Sequence, residues 1–153
     1  MAMVSSVSFA DPPDGWPFQR LDAALATARQ ENKPMFLYFG RHGCPTCERV
    51  NRETFTDSRV IDAYQEHYVL AYVDSESGRR LRLSNGERIT EMELGVKLNV
   101  FGTPFFYITQ PDGTPILRAP GYQSVDDFML YHEFVTGGHY QRQSLAEFKA
   151  SRS

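Results

Sequence analysis

Short continuous apolar runs alternate along the chain with segments whose apolar residues recur every three or four positions, and each change of period marks the border of an element. From Trp16 to Lys33, Phe18, Leu21, Leu25 and Ala28 fall at helical spacing with Arg29, Glu31 and Lys33 toward the end, which predicts one amphipathic helix over the segment. Asn32-Lys33-Pro34 stops it, and PMFLYFG, Pro34 to Gly40, has the unbroken apolarity of a strand covered on both faces. From Pro45 onward ERVNRETF reads as helical, Asp57 or Ser58 caps a further helix SRVIDAYQEHY, and HYVLAYVDS is the second strand. The polar stretch SESGRRLRLSNGERI, about 75–89, carries Ser84-Asn85-Gly86 between two extended arms and reads as an inserted surface hairpin. Thr90 with Glu93 forms a capping box that opens a helix to about Leu98. FFYIT and PILRA, joined by the turn QPDGT, are two more strands, and Ser124 with Asp127 caps the helix VDDFMLYHEFV, which Gly137-Gly138 ends. SLAEFKA adds a last helical turn. The order predicts an α/β fold: a mixed central sheet with helices on both faces and a hairpin-like insertion.

Composition narrows the possibilities. At 153 residues with 41% apolar content, the chain suits one domain with a proper core. The organisation expected is a flexible leader over 1–15 and one domain over 16–153. A net charge of −3 provides no field for phosphate, so no nucleic-acid partner is expected. No apolar run approaches the ~20 residues needed to span a bilayer.

Both cysteines lie in RHGCPTCERV, at positions 44 and 47, directly after an apolar strand. A structural zinc site needs about four ligands, whereas there is no second cysteine pair and His42, His67, His132 and His139 are scattered; no metal is expected. A structural disulfide closing so short a loop constrains the unfolded chain little. A redox couple uses the position better, because a sulfur at the start of a helix meets free N–H groups and the positive end of the dipole, which lower a thiol's pKa. Cys44 is then the nucleophile and Cys47, one turn deeper, the resolving thiol. Pro45 suits the first helical position, where a missing N–H costs nothing. His42, Pro45, Thr46 and Glu48 are candidate tuning residues, a protonated His42 because it could stabilise a thiolate. Phe101, Phe105, Phe106 and Tyr107 are expected mostly in the core, with Phe101 in a loop. No cofactor is called for, and a non-enzymatic module holding a partner protein or Cu(I) on the two thiolates stays open as an alternative.

The motif after PMFLYFG, Thr103-Pro104 before FFYIT, and Gly121 before the last long helix resemble the thioredoxin family. CPTCERVNRETFTDSRVIDAY, the polar insertion before TEMELGVKLNV, and GYQSVDDFMLYHEFVTGGHYQRQSLAEF resemble more closely the periplasmic thioredoxins associated with sulfur oxidation, the SoxW type; the C-terminal thioredoxin-like domain of the transmembrane thiol reductant DsbD is a more distant likeness. The resemblance implies a thioredoxin fold and a thiol:disulfide oxidoreductase that reduces partner proteins, with a protein-disulfide oxidant or isomerase as the alternative. It implies a cis Pro104 facing the cysteines, with the backbone at Thr103 pairing with a partner's chain. It further implies a monomer in the periplasm, with the cytoplasm as the alternative, served by an upstream dithiol donor such as a membrane thiol transporter. Two positions depart from the family pattern: Tyr38 stands where thioredoxin carries a buried aspartate six residues before the first cysteine, and Gly43 replaces the usual tryptophan. Glu48 or water is then the candidate base.

Overall fold

A computed structural model describes residues 12–152. Four strands form the main sheet in the order β2-β1-β5-β6: β1 Met35–Gly40, β2 Val69–Asp74, β5 Phe105–Thr109 and β6 Pro115–Pro120. β1 runs parallel to β2 and antiparallel to β5, which is antiparallel to β6. The parallel pair needs a crossover, supplied by α2 (Pro45–Glu53) and α3 (Ser58–His67), while β5 and β6 are joined by the tight turn at Asp112-Gly113. The family-like α/β architecture is therefore present, with β3 (Arg80–Arg82) and β4 (Arg88–Thr90) forming the separate antiparallel hairpin of the insertion.

Period-two alternation divides the buried residues between two cores. Phe36, Tyr38, Leu70, Phe106 and Ile108 face α2, α3 and α5 (Val125–Thr136) in one cluster. Met35, Leu37, Phe39, Ala71 and Tyr107 face α1 (Leu21–Glu31) and α4 (Glu91–Lys97) in the other, which Leu81 of the hairpin also enters. Helices thus cover both faces, as the uninterrupted apolarity of β1 requires. A 3₁₀ turn at His139–Gln141 leads into α6 (Leu145–Ser151), whose Phe148 is buried against Phe134.

Two local expectations change. The first helix begins at Leu21 rather than Trp16, because the chain before it is extended: the Gln19 N–H donates to the Leu70 carbonyl (2.9 Å) and Tyr72 N–H to the Gln19 carbonyl (3.0 Å) along the free edge of β2. Trp16 is buried instead against Phe55, and its indole N–H donates to the Phe55 carbonyl at 2.9 Å. At α4 only the Thr90 half of the capping box forms, with Thr90 Oγ1 accepting from the Glu93 N–H and donating to the Glu93 carboxylate. Ser124 and Asp127 make the complete reciprocal box. Of the leader expected over 1–15, residues 1–11 lie outside the described residues; Pro13 is buried, and its carbonyl accepts the Trp16 N–H.

Candidate active site

The loop Arg41–Gly43 leaves the C-terminal end of β1 and delivers Cys44 as the N-cap of α2, with Pro45 at the first helical position. Gly43 has φ +68, the left-handed region, so the turn that aims Cys44 at the helix favours glycine over the bulky tryptophan of the family pattern. Cys44 Sγ accepts the Cys47 N–H at 3.1 Å, a sulfur N-cap that satisfies one of the helix's orphan donors. Cys44 and Cys47 are joined as a disulfide with 5.2 Å between their Cα atoms. With exposures of 1% and 2% the two cysteines are recessed, so a reacting sulfur has to enter a cleft rather than meet an open surface.

The second wall comes from the far side of the chain. The Thr103-Pro104 bond is cis, and Thr103 Oγ1 donates to Cys44 Sγ at 3.3 Å. An O–H aimed at this sulfur favours negative charge there, as do the amide and the helix end. A cavity of about 600 Å³ adjoins this wall, lined by Phe101, Thr103, Pro104, Arg118, Pro120 and Gly121. Phe101 is 86% exposed at its rim, whereas Phe105, Phe106 and Tyr107 are in the cores.

Cys44, Cys47, Thr103 and Pro104 therefore come together, while the tuning candidates are spread around them. Pro45 is exposed, and Thr46 and Glu48 are half-buried in the first turn of α2. Glu48 spends its N–H on the Cys44 carbonyl at 3.1 Å. His42 is exposed and lines a different cavity, of about 470 Å³, with Asp74, Arg79 and Glu91 among its other walls.

Two residues near the site carry no motif that sequence reasoning could have used. Asn51, one turn beyond Cys47, accepts from the Tyr38 hydroxyl at 2.8 Å, and the same hydroxyl lies 3.4 Å from the Cys47 carbonyl. Burial pushes the Tyr38 phenol above its ordinary range. The position of the family's buried carboxylate thus holds a neutral group that braces α2 against β1. Arg41 donates to the carbonyls of His42 and Gly43. Among the described residues no group of three or more His, Cys, Asp or Glu side chains could hold a metal ion, and no helix is long and apolar enough to cross a membrane.

A family model for a thioredoxin-like domain matches residues 21–136. The thiol:disulfide interchange protein DsbD of Campylobacter jejuni (strain RM1221) is 29% identical over 112 residues, which are 73% of this chain but only 17% of that protein. The structure of a thioredoxin-fold protein from Helicobacter pylori superposes with a TM-score of 0.71 at 26% identity, covering 78% of this chain and 82% of the other. The C-terminal domain of Neisseria meningitidis DsbD, in its reduced form, shares the fold with a TM-score of 0.55 at 23% identity, over 74% of this chain and 91% of that domain.

Proposed function

The chain belongs to the thioredoxin-like domain family, and on that premise we propose that it is a thiol:disulfide oxidoreductase that reduces disulfides of partner proteins. The observation that carries the reading is the convergence on one sulfur, Cys44 Sγ, of a helix N-terminal amide and the Thr103 hydroxyl. In the dithiol form both groups favour the Cys44 thiolate, which is the attacking species.

The thiolate attacks one sulfur of the partner's disulfide, so that a Cys44–partner bond forms and the other partner sulfur leaves as a thiolate and takes up a proton. Cys47 then gives up its proton and attacks Cys44 Sγ. The Cys44–Cys47 disulfide forms, and the second partner sulfur departs and is protonated. The partner gains two electrons and two protons, one proton from Cys47 and one from solvent because Cys44 reacts as the thiolate, and an upstream dithiol donor returns the enzyme to its reduced state. The edge at Thr103 is the proposed seat of the partner's extended chain. Likeness to a DsbD protein supports a periplasmic setting with a membrane thiol transporter as donor; closer kinship with the SoxW type belongs to the same proposal.

The test is a pair of substitutions. Cys44→Ser should abolish reduction of a protein disulfide, and Cys47→Ser should accumulate partners as stable mixed disulfides on non-reducing gels. Turnover retained by Cys44→Ser would refute the mechanism.

A further inference from the structure

We infer that Arg41 is a positioning residue of the redox site, which orients the peptide planes ahead of Cys44 and holds positive charge on the loop that leads into it; the inference rests on the functional reading above. One guanidinium nitrogen, Nη1, donates to the carbonyl of His42 at 3.2 Å and to that of Gly43 at 3.1 Å. Both oxygens therefore turn toward a single point. A peptide unit is planar with its N–H opposite its C=O, so directing the Gly43 carbonyl at Arg41 directs the Cys44 N–H away from it. Gly43, at φ +68, has little intrinsic preference to hold this geometry, which makes an external brace useful.

The charge has a second effect. Two carbonyl oxygens next to a cysteine present negative partial charge that opposes a thiolate, and a guanidinium bonded to both offsets it. The other charged groups nearby are few. His42 lies in the same loop, Glu48 in the first turn of α2, and Glu76, in the connection after β2, reaches Arg41 Nε at 4.0 Å. The turn at Phe101–Pro104 brings none, but Arg118 of β6 lines the cavity beside it and is common to every variant compared. Glu76 draws off part of the field, but Arg41 has the shorter contacts to the loop.

The experiment is the pH profile of iodoacetamide alkylation at Cys44, with Cys47→Ser in every sample so that one thiol reports. Arg41→Met should raise the thiol midpoint by about half a unit and slow alkylation at pH 6 about threefold, a modest effect because the guanidinium is partly solvated. Arg41→Lys, which keeps the charge but not the fork, should shift less than half as far. The gap between wild type and Arg41→Met should narrow in 0.5 M salt, because screening removes charge effects but not packing effects. An unchanged midpoint in Arg41→Met, or one that moves equally at low and high salt, overturns the inference; should that variant fail to fold, an unchanged midpoint in Arg41→Gln, which also removes the charge, does so. Failure of the wild type to reduce any protein disulfide would count against the functional reading and leave the alkylation profile as it is.

Discussion

At the scale of single residues, one hydroxyl links the two walls of the site. Thr103 reaches Cys44 Sγ from 59 positions away in the chain, and it is the contact in which the turn before β5 meets the start of α2. When the disulfide is opened, that O–H faces a thiolate, and hydrogen bonds to charged acceptors are the stronger kind. Thr103→Val keeps the shape and removes the donor. The thiol pKa of Cys44 is then expected to rise by about one unit, equivalent to ~1.4 kcal/mol, read from thiolate absorbance against pH; an unaltered titration would remove Thr103 from the site. Tyr38 makes the opposite point. It is fully buried and neutral, so in the proposed mechanism no carboxylate stands at that position to take the proton of Cys47.

Elements are joined by a few buried polar contacts. Glu91, the first residue of α4, is 0% exposed, and its carboxylate accepts from Arg79 Nε at 2.9 Å and from the Asp74 N–H at 3.3 Å. It ties together the end of β2, the root of the inserted hairpin and α4. Glu91→Ala should lower stability by about 2 kcal/mol and Glu91→Gln by about half as much, because Arg79 is partly solvated and water can take its charge. A fall in the urea midpoint at constant slope would be the expected sign. Between α3 and α5 the rings of His67 and His132 lie 4.8 Å apart, and Tyr68 Oη meets His132 Nδ1 at 3.1 Å. Burial first, and then the neighbouring His67, hold His132 below its ordinary value. The unfolded chain therefore binds the proton first as pH falls, so the contribution is complete above about pH 6.5 and drains away toward the lower native value. Urea midpoints at pH 7 and 5.5 should differ more in wild type than in His132→Gln; an equal loss in both would refute the assignment.

For the molecule as a whole, the direction of electron flow is read in the reduction potential, which we expect nearer the ~−270 mV of thioredoxin than the ~−120 mV of the oxidant DsbA. Equilibration with a glutathione series measures it, and a value at the oxidant end would reverse the assigned direction. Most of this architecture was legible in the sequence, because strands and helices announce themselves through local period, and Cys44, Pro45 and Cys47 are close enough to be read as one unit. Contacts between distant positions were not. The meeting of Thr103 with Cys44 followed only from the family resemblance, and that of His67 with His132 from nothing in the spacing. Trp16 to Gln19 misled for a related reason: their apolar spacing suits a helix, yet pairing with β2 wins, because an unpaired strand edge leaves backbone groups unsatisfied. That pairing matters beyond the single chain. An open edge is a template onto which a second molecule can add its own strand. Gln19 occupies part of the β2 side, and on the β6 side Pro115 and Pro120 remove backbone donors at the two ends of the strand. The seat proposed for a partner's chain at Thr103 thus lies beside a sheet whose outer borders resist pairing with a second copy of the molecule.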